Sequence, residues 1–440
     1  MAELPKLPKG KEFEEYISAF FQCGGFYVER NIIERDEKKE VLELDIVATS
    51  YEEEKAKSFI IEAKSGDWGF SDIFKIKGWL NYLRYTDGLF ITNSPKKDSK
   101  FYENKANDIG IKLKQILRLS EAAEILKETI PGCEIIEEDF DTWRFSYWVE
   151  RNLLRQLKKN KQFLYPGGKS YQKLDEYYFL LNSGIFFEEN IVRRLYELYK
   201  TFNMFPRISA KCANELIGKS FDEDVEKLPK EIYESTYYKC DYNIIQISSF
   251  IEHRARLAIL KNTIDYILGR RNREEKKNDA FGKNFEKDLL SLLPTSFKKG
   301  MEQIESHKYF YRYPIYWQWF MWFFGGFILK DYENEEYMIL SKKTGIPIDE
   351  IPNAMSSYQL LFPQDDGWFI DLNPQVSNIK MIKMFPISFS GVGANFRRII
   401  YADSKKYKKL SLSGENTLRD LIKWNNLTVK VLEEKFKDNR

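Results

Sequence analysis

The apolar positions Phe13, Ile17, Phe20 and Phe21 fall at the i, i+4, i+7, i+8 spacing of an amphipathic helix. Glu14 borders the apolar face, and Gly24-Gly25 supply a left-handed stop. Three short runs follow at 26–33, 41–50 (VLELDIVATS) and 58–64 (SFIIEAK), rich in apolar and β-branched residues and separated by charged turns. They read as a three-stranded meander. Helical spacing returns in Ile73, Ile76, Leu80 and Leu83, then come a buried-looking strand at 88–92, a polar helix near 99–107 and a strand at 111–117. A short helix at 120–130, stopped by Pro131-Gly132, closes a unit near residue 135 with the order α-β-β-β-α-β-α-β.

Beyond an acidic connector at 134–141 the pattern turns helical and aromatic, with helices expected over 141–160, 171–202 and 243–269. The last is followed by RRNREEKKND, read as an exposed linker and a soft boundary near 275. Further on, Thr344-Gly345-Ile346-Pro347 separates two helices, 368–373 and 379–389 look like strands, and 416–436 like a final helix. The expected fold class is therefore α+β: a 1–135 α/β unit, a helical domain at 136–275 and a mixed domain at 276–440 with a small sheet. Residues 337–361 vaguely resemble a helix-turn-helix with Gly345 at the turn, although Pro347 and Pro352 are expected to disturb its second helix.

One stretch, 313–329 (YPIYWQWFMWFFGGFIL), carries no charge over 17 residues, near the lower limit for crossing a bilayer. Gln318, the tyrosines, Pro314 and the Gly325-Gly326 break favour a buried aromatic helix, so no membrane association is expected.

Composition narrows the chemistry. Only two histidines, His253 and His307, occur in 440 residues, which excludes three-His zinc sites and His-based triads and leaves hydrolysis to carboxylates and lysines. The four cysteines, Cys23, Cys133, Cys212 and Cys240, form no C-x-x-C pair, and with no signal-like apolar start the expected location is a reducing cytoplasm. Gly168-Lys169-Ser170 and Gly218-Lys219-Ser220 lack the upstream glycine of a Walker A loop, which argues against an NTP-driven motor. Residues 1–140 hold 21 basic and 28 acidic side chains, the remainder 48 and 39, which fits an acidic metal-binding unit before an anion-binding one and equally an ordinary drift of surface charge.

With the turn between the second and third strands centred near residue 54, Asp45 lies opposite about residue 63, beside Glu62 and Lys64, which share one strand face while Ala63 points to the other. Such a Glu-x-Lys is weak alone, since cross-strand acid-base pairs also occur for stability. In family order, however, GKEFEEYISAFFQCGGF, ELDIVAT and IIEAKSG, followed by WLNYLRYTDGLFITNS, resemble the PD-(D/E)xK nuclease superfamily, most closely its Mrr-like restriction-endonuclease branch, over residues 10–117. The resemblance implies a restriction-endonuclease-like fold and maps Glu14 (chosen over Glu15), Asp45, Glu62 and Lys64 onto the active site. The chain departs from the family name in lacking a proline before Asp45. It further implies Mg²⁺, with Mn²⁺ substituting, bound by Asp45, Glu62, the Ala63 carbonyl and Glu14, and Lys64 acting on the attacking water.

The function implied is a DNA endonuclease in prokaryotic antiviral defence, whose C-terminal part recognises the target, an activator or a partner protein, including an Argonaute-like or CRISPR-associated one. A homodimer fits the same frame. The rival reading is a non-catalytic nucleic-acid- or protein-binding scaffold, with RNA cleavage as a variant. Lys405-Lys406-Tyr407-Lys408-Lys409 interleaves an aromatic with cations and is the candidate nucleic-acid patch, against a plain solvated charge run. If those lysines meet phosphates, replacing all four lowers the slope of log K against log salt by about 1 per lost contact in a DNA-binding titration. An unchanged slope identifies the run as solvated surface.

Overall fold

The computed structural model describes residues 9–363 apart from 37–38, 54, 118, 128–136, 160–162, 165–170, 173, 183, 205–243 and 276–288, together with 369–371, 379–382 and 387–401. The Lys405–Lys409 patch, the expected helix at 416–436, and Cys133, Cys212 and Cys240 lie outside the described residues.

The first nine elements follow the expected order: α1 (Lys11–Cys23), β1 (Tyr27–Asp36), β2 (Lys39–Glu52), β3 (Lys55–Lys64), α2 (Phe70–Leu83), β4 (Asp87–Thr92), α3 (Ser99–Asp108), β5 (Ile111–Gln115) and α4 (Leu119–Leu126). They build one five-stranded mixed sheet in the order β1-β2-β3-β4-β5. The first three strands are an antiparallel meander, and β4 and β5 join β3 in parallel, because α2 and α3 return the chain to the same end. The Gly24-Gly25 stop works through Gly25, whose φ is 78°.

Each sheet face feeds a different core. Ile60 and Phe90 pack under Ile73, Ile76 and Leu80 of α2, while Ile61, Leu89 and Ile91 pack with Phe13, Ile17 and Phe20 of α1. Alternate residues of a regular strand share a face. In β2, however, Leu42 and Leu44 belong to the α2 core and Ile46 and Ala48 to the α1 core, so the strand turns over at Asp45. Opposite it Asn31 takes the left-handed region at φ 52°, and the β1–β2 pairing skips from Arg30↔Ile46 to Ile32↔Leu44. Asparagine tolerates that conformation better than a β-branched residue such as the neighbouring Ile32 or Ile33 would.

The remainder is helix-rich. It comprises α5 (Glu137–Lys159), the hairpin of β6 (Phe163–Leu164) and β7 (Tyr171–Gln172), α6 (Leu174–Asn182), α7 (Ile191–Met204), α8 (Ile244–Glu275), α9 (Thr295–Ser306), α10 (Tyr313–Gln318), β8 (Phe327–Leu329), α11 (Glu333–Thr344), α12 (Ile351–Leu361), β9 (Phe369–Asp371), β10 (Ile379–Ile382) and α13 (Ile387–Ile400). A small antiparallel sheet runs β8-β10-β9. The architecture is thus α+β, a mixed sheet joined to a helical body.

Four expectations need correction. The helix expected over 171–202 is β7 and two helices, α7 starting where the Asn190 side chain accepts the N–H groups of Val192 and Arg193 at 3.0 and 2.9 Å. The charged run after Gly269 is not all linker: α8 continues to Glu275, and Arg271 pairs with Glu305 of α9 at 3.3 Å. Within the expected strand at 379–389, Ile379–Ile382 is extended, whereas Ile387 opens α13. Pro352 does not disturb α12 but sits in its first turn, where no amide donor is needed.

The uncharged stretch 313–329 is the centre of the helical core rather than a membrane element. It forms α10, a five-residue π turn (Trp319–Phe323), a left-handed turn at Gly325 and Gly326, and β8, with the aromatic rings buried. Among the described residues no helix is long and apolar enough to cross a membrane. His253 is fully buried in α8, where burial and then Arg256 hold its imidazole well below the ordinary value, and His307 bonds the Tyr313 hydroxyl at 2.7 Å.

The apolar core runs without interruption from α1 into α5, α8 and α10, across the boundary expected near 135. The outer edge of β1 is closed in the same way. Gln318 Oε1 accepts the N–H of Val28 at 2.9 Å and the Gln22 amide at 2.9 Å, while Gln318 Nε2 donates to the Val28 carbonyl at 2.7 Å. One side-chain amide therefore stands in for a neighbouring strand. Replacing Gln318 by Leu should cost about 2–4 kcal/mol in denaturant unfolding, since it strands three buried groups at once. An unchanged midpoint would show that this edge needs no closure.

Candidate functional site

The β2–β3 ladder ends at Ile46↔Ile61, a register that carries Asp45 to Glu62, one step from the expected position opposite residue 63. Beyond that last pair, Asp45 Oδ2 replaces a strand carbonyl and accepts the Ala63 N–H at 3.1 Å. The turn-over of β2 thus sets the Asp45 carboxylate against the backbone of the Glu-x-Lys segment. Ala63, expected to offer its carbonyl, here fixes Asp45 through its amide.

Glu62 is 3% exposed and lies on the α2 face of β3. Its Oε1 pairs with Lys75 Nζ at 3.1 Å, while its Oε2 is buried without a hydrogen-bond partner. Lys64, two residues on and on the same face, pairs with Asp72 at 3.3 Å. Asp72 also accepts the Gly69 N–H at 2.9 Å, closing the first turn of α2. Two residues of α2 three positions apart therefore meet two residues of β3 two positions apart. Asp72 and Lys75 were missed in the sequence: their spacing marks one helix side, but nothing local says that this side faces Glu62 and Lys64.

Glu14 is half-buried on α1, within electrostatic reach of Asp45 and Glu62, whereas Glu15 turns away to Arg151 at 3.1 Å and Arg30 at 3.9 Å. The start of α1 reaches the strand loop directly, since the Gly10 N–H donates to Ser65 Oγ at 2.5 Å. Burial first, opposed by Arg30 and Lys11 and reinforced by Glu43 and Glu62, raises the Glu14 carboxyl above its ordinary range. Asp45 is affected more: burial, then the charges of Glu62 and Glu14, hold it well above the usual carboxylate range against the pull of the Ala63 amide and Lys75.

Comparison of the chain with protein-family models, curated proteins and solved structures finds no match. The chemistry therefore rests on the residues themselves. Among the described residues no group of three or more His, Cys, Asp and Glu side chains is gathered as a metal cage. Mg²⁺ commonly takes only one or two carboxylates and keeps several waters, a demand that Asp45 and Glu62 fit: both are oxygen donors, and Glu62 Oε2 is a buried acceptor with nothing bonded to it.

The raised Asp45 pKa has a consequence for stability. A carboxyl whose folded pKa exceeds its unfolded one favours the fold below the unfolded pKa, near 4, and this contribution is lost as pH rises through the folded value. Asp45→Asn should therefore raise the thermal midpoint of the metal-free protein by about 2 °C at pH 7 and leave it unchanged near pH 4. Calorimetry at both pH values checks this; a lower midpoint at pH 7 would mean that the Asp45 charge is satisfied.

Proposed function

We propose that the chain is a Mg²⁺-dependent nuclease of the PD-(D/E)xK kind, Mrr-like, that hydrolyses DNA phosphodiester bonds as an effector of prokaryotic defence, its helical body serving target, activator or partner recognition. The observation that carries this reading is the Asp45 carboxylate set where β2 leaves β3, with Glu62 beside it and Lys64 two residues on. The α-β-β-β-α-β-α-β order around them agrees with it.

Asp45 and Glu62 would hold the ion, which when bound neutralises the scissile phosphate and makes hydroxide accessible near neutral pH. The Ala63 amide fixes the Asp45 carboxylate for that task. Lys64, steadied by Asp72, would orient the attacking water and counter the charge developing on phosphorus. Glu14 would orient a water or serve a second ion from the α1 side. Lys75 keeps the buried Glu62 charge paired.

The same Lys75–Glu62 and Lys64–Asp72 pairs favour a second reading, a scaffold whose carboxylates are satisfied within the chain. A panel of plasmid, linear duplex, methylated DNA, single-stranded DNA and RNA, with Mg²⁺, Mn²⁺ or EDTA, separates the two. The nuclease reading expects metal-dependent cleavage, reduced about 10²–10⁴-fold by Asp45→Asn, Glu62→Gln or Lys64→Ala while the protein stays folded. It also expects Mg²⁺ to raise the thermal midpoint of the wild type and not of Asp45→Asn. Cleavage undiminished in EDTA removes the metal from the mechanism, and no cleavage together with no Mg²⁺ shift leaves the scaffold.

A further inference from the structure

A ring cluster lies on the outer side of α2, next to the residues that meet the site. Phe70 stacks on Tyr102 of α3 at 4.7 Å, meets Phe101 edge-on at 5.8 Å and lies 6.5 Å from Phe74. Trp68 supports them from below, 5.0 Å from Tyr102. The outer two rings are left in solvent, Phe74 57% and Phe101 52% exposed. Single exposed apolar side chains are ordinary, but two large ones flanking a half-buried third make a patch. Its place on α2 is specific, since Asp72 between Phe70 and Phe74 holds Lys64, and Lys75 next to Phe74 holds Glu62.

Charge indicates what covers it. Residues 10–63, which supply the carboxylates, hold 7 basic and 14 acidic side chains, whereas residues 64–117, which carry the rings, hold 10 and 6. Lys97 and Lys100, just before Phe101, are exposed and have no acidic partner among the described residues. Exposed aromatic rings with unpaired cations close by in sequence suit a polyanion whose own flat groups are free to stack. A duplex keeps its bases inside, so it would offer this surface only phosphates.

We propose that Phe74 and Phe101 form a stacking platform for the unpaired bases of a single nucleic-acid strand, with Lys97 and Lys100 meeting its phosphates and the platform leading the strand toward Lys64. The inference deepens the nuclease reading by naming single-stranded segments as the substrate class. It rests on that reading for its purpose, but the binding itself is measured without cleavage.

The test uses the full chain in EDTA and a labelled (dT)12, (rU)12 and blunt duplex, followed by fluorescence anisotropy. Phe74→Ala with Phe101→Ala is expected to weaken single-strand binding about 10- to 100-fold and duplex binding less than about threefold. Phe74→Trp with Phe101→Trp should restore the single-strand affinity, which a merely misfolded surface would not. Equal loss in the (dT)12 and (rU)12 arms fits stacking on either sugar, and loss in one arm assigns the platform to that nucleic acid.

Single-strand affinity within twofold of wild type in the double alanine variant, or equal loss on duplex and single strand, overturns the proposal. So does a wild type that binds no single strand and self-associates through these rings, as read by sedimentation of the wild type and the variant. A protein that binds single strands through the platform yet cuts nothing and shows no Mg²⁺ shift keeps this inference and refutes the nuclease reading. A protein that cuts duplex DNA with the rings removed and has no single-strand affinity does the reverse.

Discussion

Two carboxylates brought close together repel each other, and the candidate site depends on holding Asp45 and Glu62 in that position despite the repulsion. Asp45 is held by the Ala63 amide, and Glu62 is held by its strand and by Lys75. Burial, with the charges of Glu62 and Glu14 added to it, keeps the Asp45 carboxyl raised despite these holds. The irregularity that makes the arrangement possible is the turn-over of β2 opposite the left-handed Asn31, which ends the ladder one residue early and frees a strand N–H for a side chain. A regular β2 would have satisfied that N–H with backbone and sent Asp45 to one face or the other.

The helical body is fastened to this sheet by polar groups as much as by apolar packing. Lys261 of α8 pairs with Asp265 at 2.8 Å and reaches Glu29 of β1 at 3.8 Å, and Tyr51 of β2 donates to Asp265 at 2.9 Å. Arg30 of β1 meets Glu150 of α5 at 3.5 Å and stands 4.3 Å over the Tyr147 ring. Buried pairs of this kind add little net stability over apolar contact, but leaving one member unpaired is costly, so they admit few alternative dockings. At the far end Arg397 of α13 is fully buried, bonded to Glu336 at 2.6 Å and to the Phe324 carbonyl at 2.8 Å. This chain ties β8 and the aromatic centre to the last described helix.

The sheet unit and the body therefore share one interior. Phe20, Phe21, Phe26 and Tyr27 belong to the same apolar cluster as Trp143, Ile251 and Phe320. The strands that present Asp45 and Glu62 are continuous with that packing through Ile46 and Ile61. The opposite face, under α2 and α3, is the thinner layer and bears the exposed rings.

The sequence by itself determined whatever a local period or a turn residue encodes. The helix of Phe13, Ile17 and Phe20, the meander, the strands β4 and β5 and the Gly345 break were legible because each is written within a dozen or so residues. Glu14, Asp45, Glu62 and Lys64 were legible as candidates for the same reason, being short motifs in order along the chain. Tertiary structure decided the rest. The exact partner of Asp45 turned on one residue of register. Lys75 reached Glu62, and Gln318 reached Val28 across 290 residues, only when folding had set a helix side or a core segment against a strand. A side chain's periodicity states which way it faces on its own element; which charge or amide it faces is fixed by the packing of elements distant in sequence, and no local pattern carries that information.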